Sequence, residues 1–126
     1  MEIRDAREAD AKRLAALADA PVETMRDLVH DRTVRVAEAD EIVGFVSFDA
    51  RRETVHITQY EGPPEVAARL LDEPVRFAAT EGMAVELLVK RSREDLTRAA
   101  ADAGFENVGE GPRFDGSPTV KFRREP

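Results

Sequence analysis

The stretch Thr54-Val55-His56-Ile57-Thr58-Gln59-Tyr60-Glu61-Gly62-Pro63-Pro64-Glu65-Val66-Ala67, continued by Ala68-Arg69-Leu70-Leu71, decides the fold. Thr54 to Tyr60 alternates, with Val55 and Ile57 on one face and His56 and Thr58 on the other, as a strand does. From Glu65 to Glu81, the apolar residues Val66, Ala67, Leu70, Leu71, Val75 and Ala78 recur at helical spacing, with Pro74 expected to kink the helix. A loop between a strand and a helix that faces the sheet is where a phosphate would be cradled. Consecutive backbone N–H groups and the positive end of the helix converge there. This loop lacks that chemistry: Pro63 and Pro64 remove two donors, and Glu61 and Glu65 would confront a phosphate with like charge.

Downstream, Gly82 reads as a helix stop. Val85, Leu87, Leu88 and Val89 follow as a strand apolar on both faces, the pattern of a central buried strand. Ser92, with Asp95 three residues on, is expected to cap a helix that Gly104 ends, and Phe105–Glu110 and Thr119–Phe122 to pair around Asp115-Gly116. Upstream, Ile3 opens a short strand, and Ala11, Leu14, Ala15, Leu17 and Ala18 mark one face of a helix. Pro21 suits the first position of a second helix bearing Val22, Met25, Leu28 and Val29. Thr33–Glu38 and Ile42–Phe48 predict a hairpin across Ala39-Asp40-Glu41, and Asp49–Glu53 a charged turn. Phe45, Phe48, Phe77 and Phe105 are expected in the core.

The chain has 126 residues, the size of one ordinary domain, and is expected to form a single core over residues 1–126. No run of about 18 apolar residues suggests a membrane span, and no basic leader precedes an apolar segment, so a soluble cytoplasmic protein is expected. A net charge of −7 disfavours nucleic acid and anionic lipid as partners. Cysteine is absent, which excludes disulfides and thiolate chemistry, and two histidines make a histidine-rich metal site improbable. The 16 arginines against three lysines, with the acidic excess, suit a salt-rich cytoplasm or a GC-rich genome.

The order β-α-α-β-β-β-α-β-α-β-β resembles the GNAT superfamily of acyl-CoA-dependent N-acyltransferases over nearly the whole chain. Local phrases carry the likeness. Ile3-Arg4 with Ala9-Asp10-Ala11 is similar to the family's first strand and helix. Val36-Ala37-Glu38 with Glu41-Ile42-Val43-Gly44-Phe45-Val46 is similar to its second and third strands. Leu70-Leu71 with Ala78 and Gly82 is similar to the helix behind its acyl-CoA loop, and Ala103-Gly104-Phe105-Glu106 to the end of its last helix. The resemblance implies an α+β fold with a mixed, mostly antiparallel sheet flanked by helices, and acetyl-CoA as co-substrate. It implies contacts to the pantetheine arm from the strand at Ile57 and Thr58. Phosphate contacts would come from Gly62, Val66, Ala67 and Arg69.

The chain departs from the family twice. Of the three fixed loop positions, here Gly62, Glu65 and Ala67, only Ala67 conforms. Where many members place a tyrosine that protonates the departing thiolate, this chain has Ala100, and its sole tyrosine is Tyr60.

Acyl transfer to an amine needs a base and N–H groups that polarise the thioester carbonyl. His56 and Glu61 are the candidate bases, although a lone histidine without a fixed partner reads first as a packed one. Glu65 is explained by its helix start, Glu38, Asp40 and Glu41 by a solvated hairpin tip, Arg51-Arg52 by a charged turn, and Ser92 by capping. Two functions follow. The first is acetyl transfer from acetyl-CoA to an amine, on a small molecule or a protein, whose identity the residues leave open. The alternative is a noncatalytic binding or regulatory module, a homodimer being one form it would take. A different α+β ligand-sensing domain is a third option, which would lack a splayed central strand pair.

Overall fold

Ten residues of unbroken extended chain, Ile42–Arg51, form the longest strand, and the rest of the sheet is laid on either side of it. The computed structural model describes residues 1–126. Its strands are β1 (Glu2–Asp5), β2 (Thr33–Glu38), β3 (Ile42–Arg51), β4 (Thr54–Glu61), β5 (Ala84–Lys90), β6 (Glu106–Glu110) and β7 (Thr119–Arg124). They form one sheet in the order β1-β2-β3-β4-β5-β7-β6. Only β4 and β5 run parallel, joined by the crossover helix α3 (Pro64–Glu81), because a parallel neighbour cannot be reached by a tight turn. The remaining helices are α1 (Ala11–Ala18), α2 (Val22–Asp31) and α4 (Glu94–Asp102). The architecture is the expected α+β arrangement in the expected order.

Alternation places one cluster on each side of the sheet. Val46, Phe48, Val55, Ile57, Leu87 and Phe122 are buried beneath α3 and α4. On the other side Val34, Val36 and Phe45 are buried with Leu14 of α1 and Met25 of α2. Each such side chain contributes roughly 1.5–3 kcal/mol of transfer free energy.

Local structure differs from the sequence expectations at several points. β3 runs to Arg51, so the charged turn shrinks to Arg52 and Glu53, whose φ of 51° and 66° match the twist of a two-residue hairpin. Pro21 is the N-cap of α2 rather than its first residue. α3 runs through Pro74, which is buried, without interruption. Ser92 does not cap α4. Arg93 holds the N-cap position and its carbonyl accepts from the N–H of Leu96 and Thr97. Leu88 is 48% exposed, because α1 and α2 cover only the β1–β3 half of their face. Phe77 leans on Phe48 with ring centroids 6.1 Å apart, yet is 42% exposed at the outer side of α3.

Gly44 lets α3 approach the sheet. A Cβ there would lie 2.6 Å from the Glu61 carbonyl oxygen and 2.9 Å from Val66 Cγ1. Backbone cannot yield as a flexible side chain does, so Gly44→Ala is expected to lower stability by about 1–3 kcal/mol, read as a fall in the thermal midpoint.

Candidate functional site at the β4–β5 fork

The parallel pairing of β4 with β5 runs from Thr54↔Ala84 to Ile57↔Leu87 and stops there. Beyond it, Gln59–Glu61 stays paired only with β3, and Leu88–Lys90 only with β7. The two strands therefore open into a fork, which removes the third option above. A β-bulge marks the opening: Ser47 pairs with Gln59 and Phe48 with Ile57, leaving Thr58 as the extra residue. Bulges bend a strand and increase its twist. Ser47 is fully buried, and its Oγ lies 2.6 Å from Thr58 Oγ1, which also donates to the Ser47 carbonyl at 3.3 Å. The inner edges of the fork present main-chain groups that no strand satisfies. An extended, amide-bearing chain can lie along such an edge as an added strand would.

The fork has two sides. Tyr60 is paired with Val46 and buried in the α3/α4 cluster, where its hydroxyl donates to the Leu96 carbonyl at 2.5 Å. Burial pushes the phenol far above its ordinary pKa, so it stays protonated in this bond. Glu61 is paired with Phe45, so its side chain lies on the α1/α2 side. On that side the 111–118 loop closes in. A Cβ at Gly111 would touch Leu88 Cδ2 at 2.6 Å, and Lys90 Nζ stands 5.5 Å from the Phe114 ring centroid.

An ion pair spans the mouth. Arg93, just past β5, donates through Nη2 and Nη1 to Glu61 Oε1 and Oε2, at 3.1 and 3.3 Å. The same guanidinium donates to both Asp95 oxygens at 3.3 Å. Hydrogen bonds to Glu61 and Asp95 raise the Arg93 pKa, and Arg93 in turn holds the Asp95 carboxyl below its usual range.

The contacts expected from the sequence fall into two kinds. Ile57 buries its side chain under α3 and α4 and offers only backbone to the fork, while Thr58 commits its hydroxyl to Ser47. Gly62, at φ 148°, makes the turn into α3. A Cβ there would lie 3.2 Å from Val66 Cγ1 and 3.4 Å from the Gly44 Cα. Pro63 is the N-cap of α3 and Pro64 its first residue, so two positions of the turn have no N–H. The Ala67 N–H donates to the Pro63 carbonyl at 2.8 Å, within the first turn of α3. The N–H groups of Glu65 and Val66 remain, with the carboxylate of Glu65 beside them. Arg69 is exposed on the second turn of α3.

His56 lies below the fork, on the α1/α2 side, between its register partners Asp49 and Glu86. Its Nδ1 is 3.9 Å from Glu86 Oε1, so it is a cross-strand residue rather than one packed under a helix. Burial alone would raise the Glu86 pKa, but Arg123 and Lys121 bring it below the usual value. No group of three or more His, Asp or Glu side chains stands ready to hold a metal ion, and no helix is long and apolar enough to cross a membrane. Sequence reasoning missed Ser47 and Arg93. Both act across strands, where local pattern carries no signal.

No protein-family model matches the chain, and no curated protein sequence does either. Solved structures do match. Ribosomal-protein-alanine N-acetyltransferase from Brucella melitensis superimposes with a TM-score of 0.82 over 99% of both chains at 18% identity. A GNAT-family acetyltransferase from Streptococcus pneumoniae gives 0.73 over 98% of both chains at 17% identity. The protein yncA from Salmonella typhimurium, solved with its cofactor acetyl-CoA, gives 0.79 at 17% identity, covering 98% of this chain and 92% of its own. The chain has the GNAT fold.

Proposed function

We propose that the protein transfers an acetyl group from acetyl-CoA to an amine. The fork carries this reading: β4 and β5 part after Ile57 and Leu87, next to a bulge at Thr58, and leave main-chain edges unpaired. Pantetheine has two amides, and the open edge of Thr58–Glu61 complements them. In the reaction the amine nitrogen bonds to the thioester carbon, the carbon–sulfur bond breaks, and the sulfur leaves with the electron pair to be protonated. A base takes the proton the amine loses. Glu61 is favoured over His56 as that base, because it stands at the mouth of the fork while His56 lies in its paired root. A net charge of −7 suits a cationic amine acceptor.

Titration calorimetry with acetyl-CoA, at low and at molar salt, tests this. Salt screens the carboxylates around the loop, so the pair of conditions separates electrostatic exclusion from a missing site. Saturable micromolar binding followed by thiol release with an amine panel is the expected result. Absence of binding at both salts would end the transferase reading.

A second reading, a noncatalytic module on the same fold, is favoured by two observations. The phosphate loop has two prolines, and Arg93 bridges the fork mouth to Glu61.

A further inference from the structure

We infer that Arg93 is the phosphate-binding residue of this fork and that Glu61 is its counter-ion in the ligand-free protein. This rests on the acetyl-CoA reading above and deepens it. An acyl thioester of coenzyme A brings several negative charges to the mouth, where the α3 turn lacks the N–H groups of Pro63 and Pro64 and carries Glu65. The charge must be met by a side chain, and Arg93 stands beside the turn already bidentate to an anionic group, the Glu61 carboxylate. Guanidinium binds phosphate in the same fork geometry as carboxylate, so the exchange of one for the other needs no new shape.

The guanidinium is partly exposed and is oriented from behind by Asp95, which stays in place when Glu61 is displaced. Displacement has a second consequence. A Glu61 paired with Arg93 has both carboxylate oxygens occupied, whereas a Glu61 released by a phosphate is free for the incoming amine on the α1/α2 side. Donor binding thereby prepares acceptor binding. Tyr60, tied to the Leu96 carbonyl, keeps α4 and its N-cap at a fixed distance from β4 while the pair opens.

The test uses calorimetric affinities of the full-length protein and its Arg93→Ala, Arg93→Lys and Glu61→Gln variants for acetyl-CoA and for acetyl-pantetheine, which lacks phosphates. Melting midpoints verify that each variant is folded. Arg93→Ala is expected to weaken acetyl-CoA by about 10- to 100-fold, the loss of a charge-assisted pair, and Arg93→Lys by less. Glu61→Gln, which removes the competing carboxylate, is expected to tighten acetyl-CoA by about tenfold. Acetyl-pantetheine should be bound equally by all four proteins. Wild-type binding of acetyl-CoA that Arg93→Ala leaves unchanged would overturn the inference and spare the transferase reading. Equal losses for both ligands would also overturn it, by showing a structural role. Failure of all four proteins to bind acetyl-CoA would bring down both, while binding gained only by Glu61→Gln would support the exchange.

Discussion

Replacing Phe45 with alanine is expected to remove about 3–5 kcal/mol of folding free energy, the range for deleting a fully buried aromatic side chain. Phe45 is completely buried among Leu14, Met25, Val34 and Val36, in the smaller of the two clusters, where no other aromatic ring can move in to fill the space. A domain of this size is stable by roughly 5–15 kcal/mol, so the variant would keep a fraction of that margin. Urea unfolding should show a lower midpoint at unchanged slope, since the surface exposed on unfolding barely alters. Phe45 is also the register partner of Glu61, and it anchors the side of the sheet on which α1 and α2 lie. Any acyl transfer should therefore fall further in Phe45→Ala than the folded fraction accounts for. A loss below 1 kcal/mol would show that α1 and α2 collapse onto the gap, and that this cluster is softer than its burial implies.

The fold was legible in the sequence because its elements announce themselves locally. Val55 and Ile57 alternate with polar neighbours, Leu70 and Leu71 recur at helical spacing, and Gly82 and Gly104 end their helices in the left-handed conformation their positions require. The misreadings come where tertiary context decides. Leu88 resembles a core residue by type, but the helices on its side reach only β1–β3. Ser92 satisfies the composition of a cap, yet the chain turns one residue later, at Arg93.

The candidate site was only half legible. The deficits of the loop were visible in Pro63, Pro64 and Glu65, since absent N–H groups are a matter of residue type. The fork was not, because the bulge at Thr58 depends on Ser47, eleven residues away on another strand. The Glu61–Arg93 pair joins residues 32 apart and was equally hidden. Ala67 conforms to the expected loop residue, and with Pro63 as N-cap its N–H lies within the helix, a detail that residue type alone does not carry.

Restoring the loop donors is expected to change acetyl-CoA affinity more than any other substitution. Gly62 must stay, since its φ of 148° strains any L side chain and a Cβ there would press on Val66 Cγ1 at 3.2 Å. The change therefore falls on the next positions, as Pro64→Ala with Glu65→Gly. Alanine returns one N–H to the helix start, and a hydrogen bond from it to an anionic phosphate contributes about 1.5–3 kcal/mol. Removing the Glu65 carboxylate relieves like-charge repulsion of about 1 kcal/mol at a few ångströms. Together these correspond to roughly 50- to 1000-fold tighter binding. Stability moves the other way. Glycine in a helix costs about 1 kcal/mol, and loss of the acidic residue at the helix start a few tenths more, so the melting midpoint should fall by several degrees. Opposite movement of affinity and stability is specific to a loop whose deficit lies in its chemistry. If the double variant melts lower and binds no better, the obstruction lies at the fork mouth, which Arg93 bridges to Glu61. The noncatalytic reading would then be the one that fits the loop.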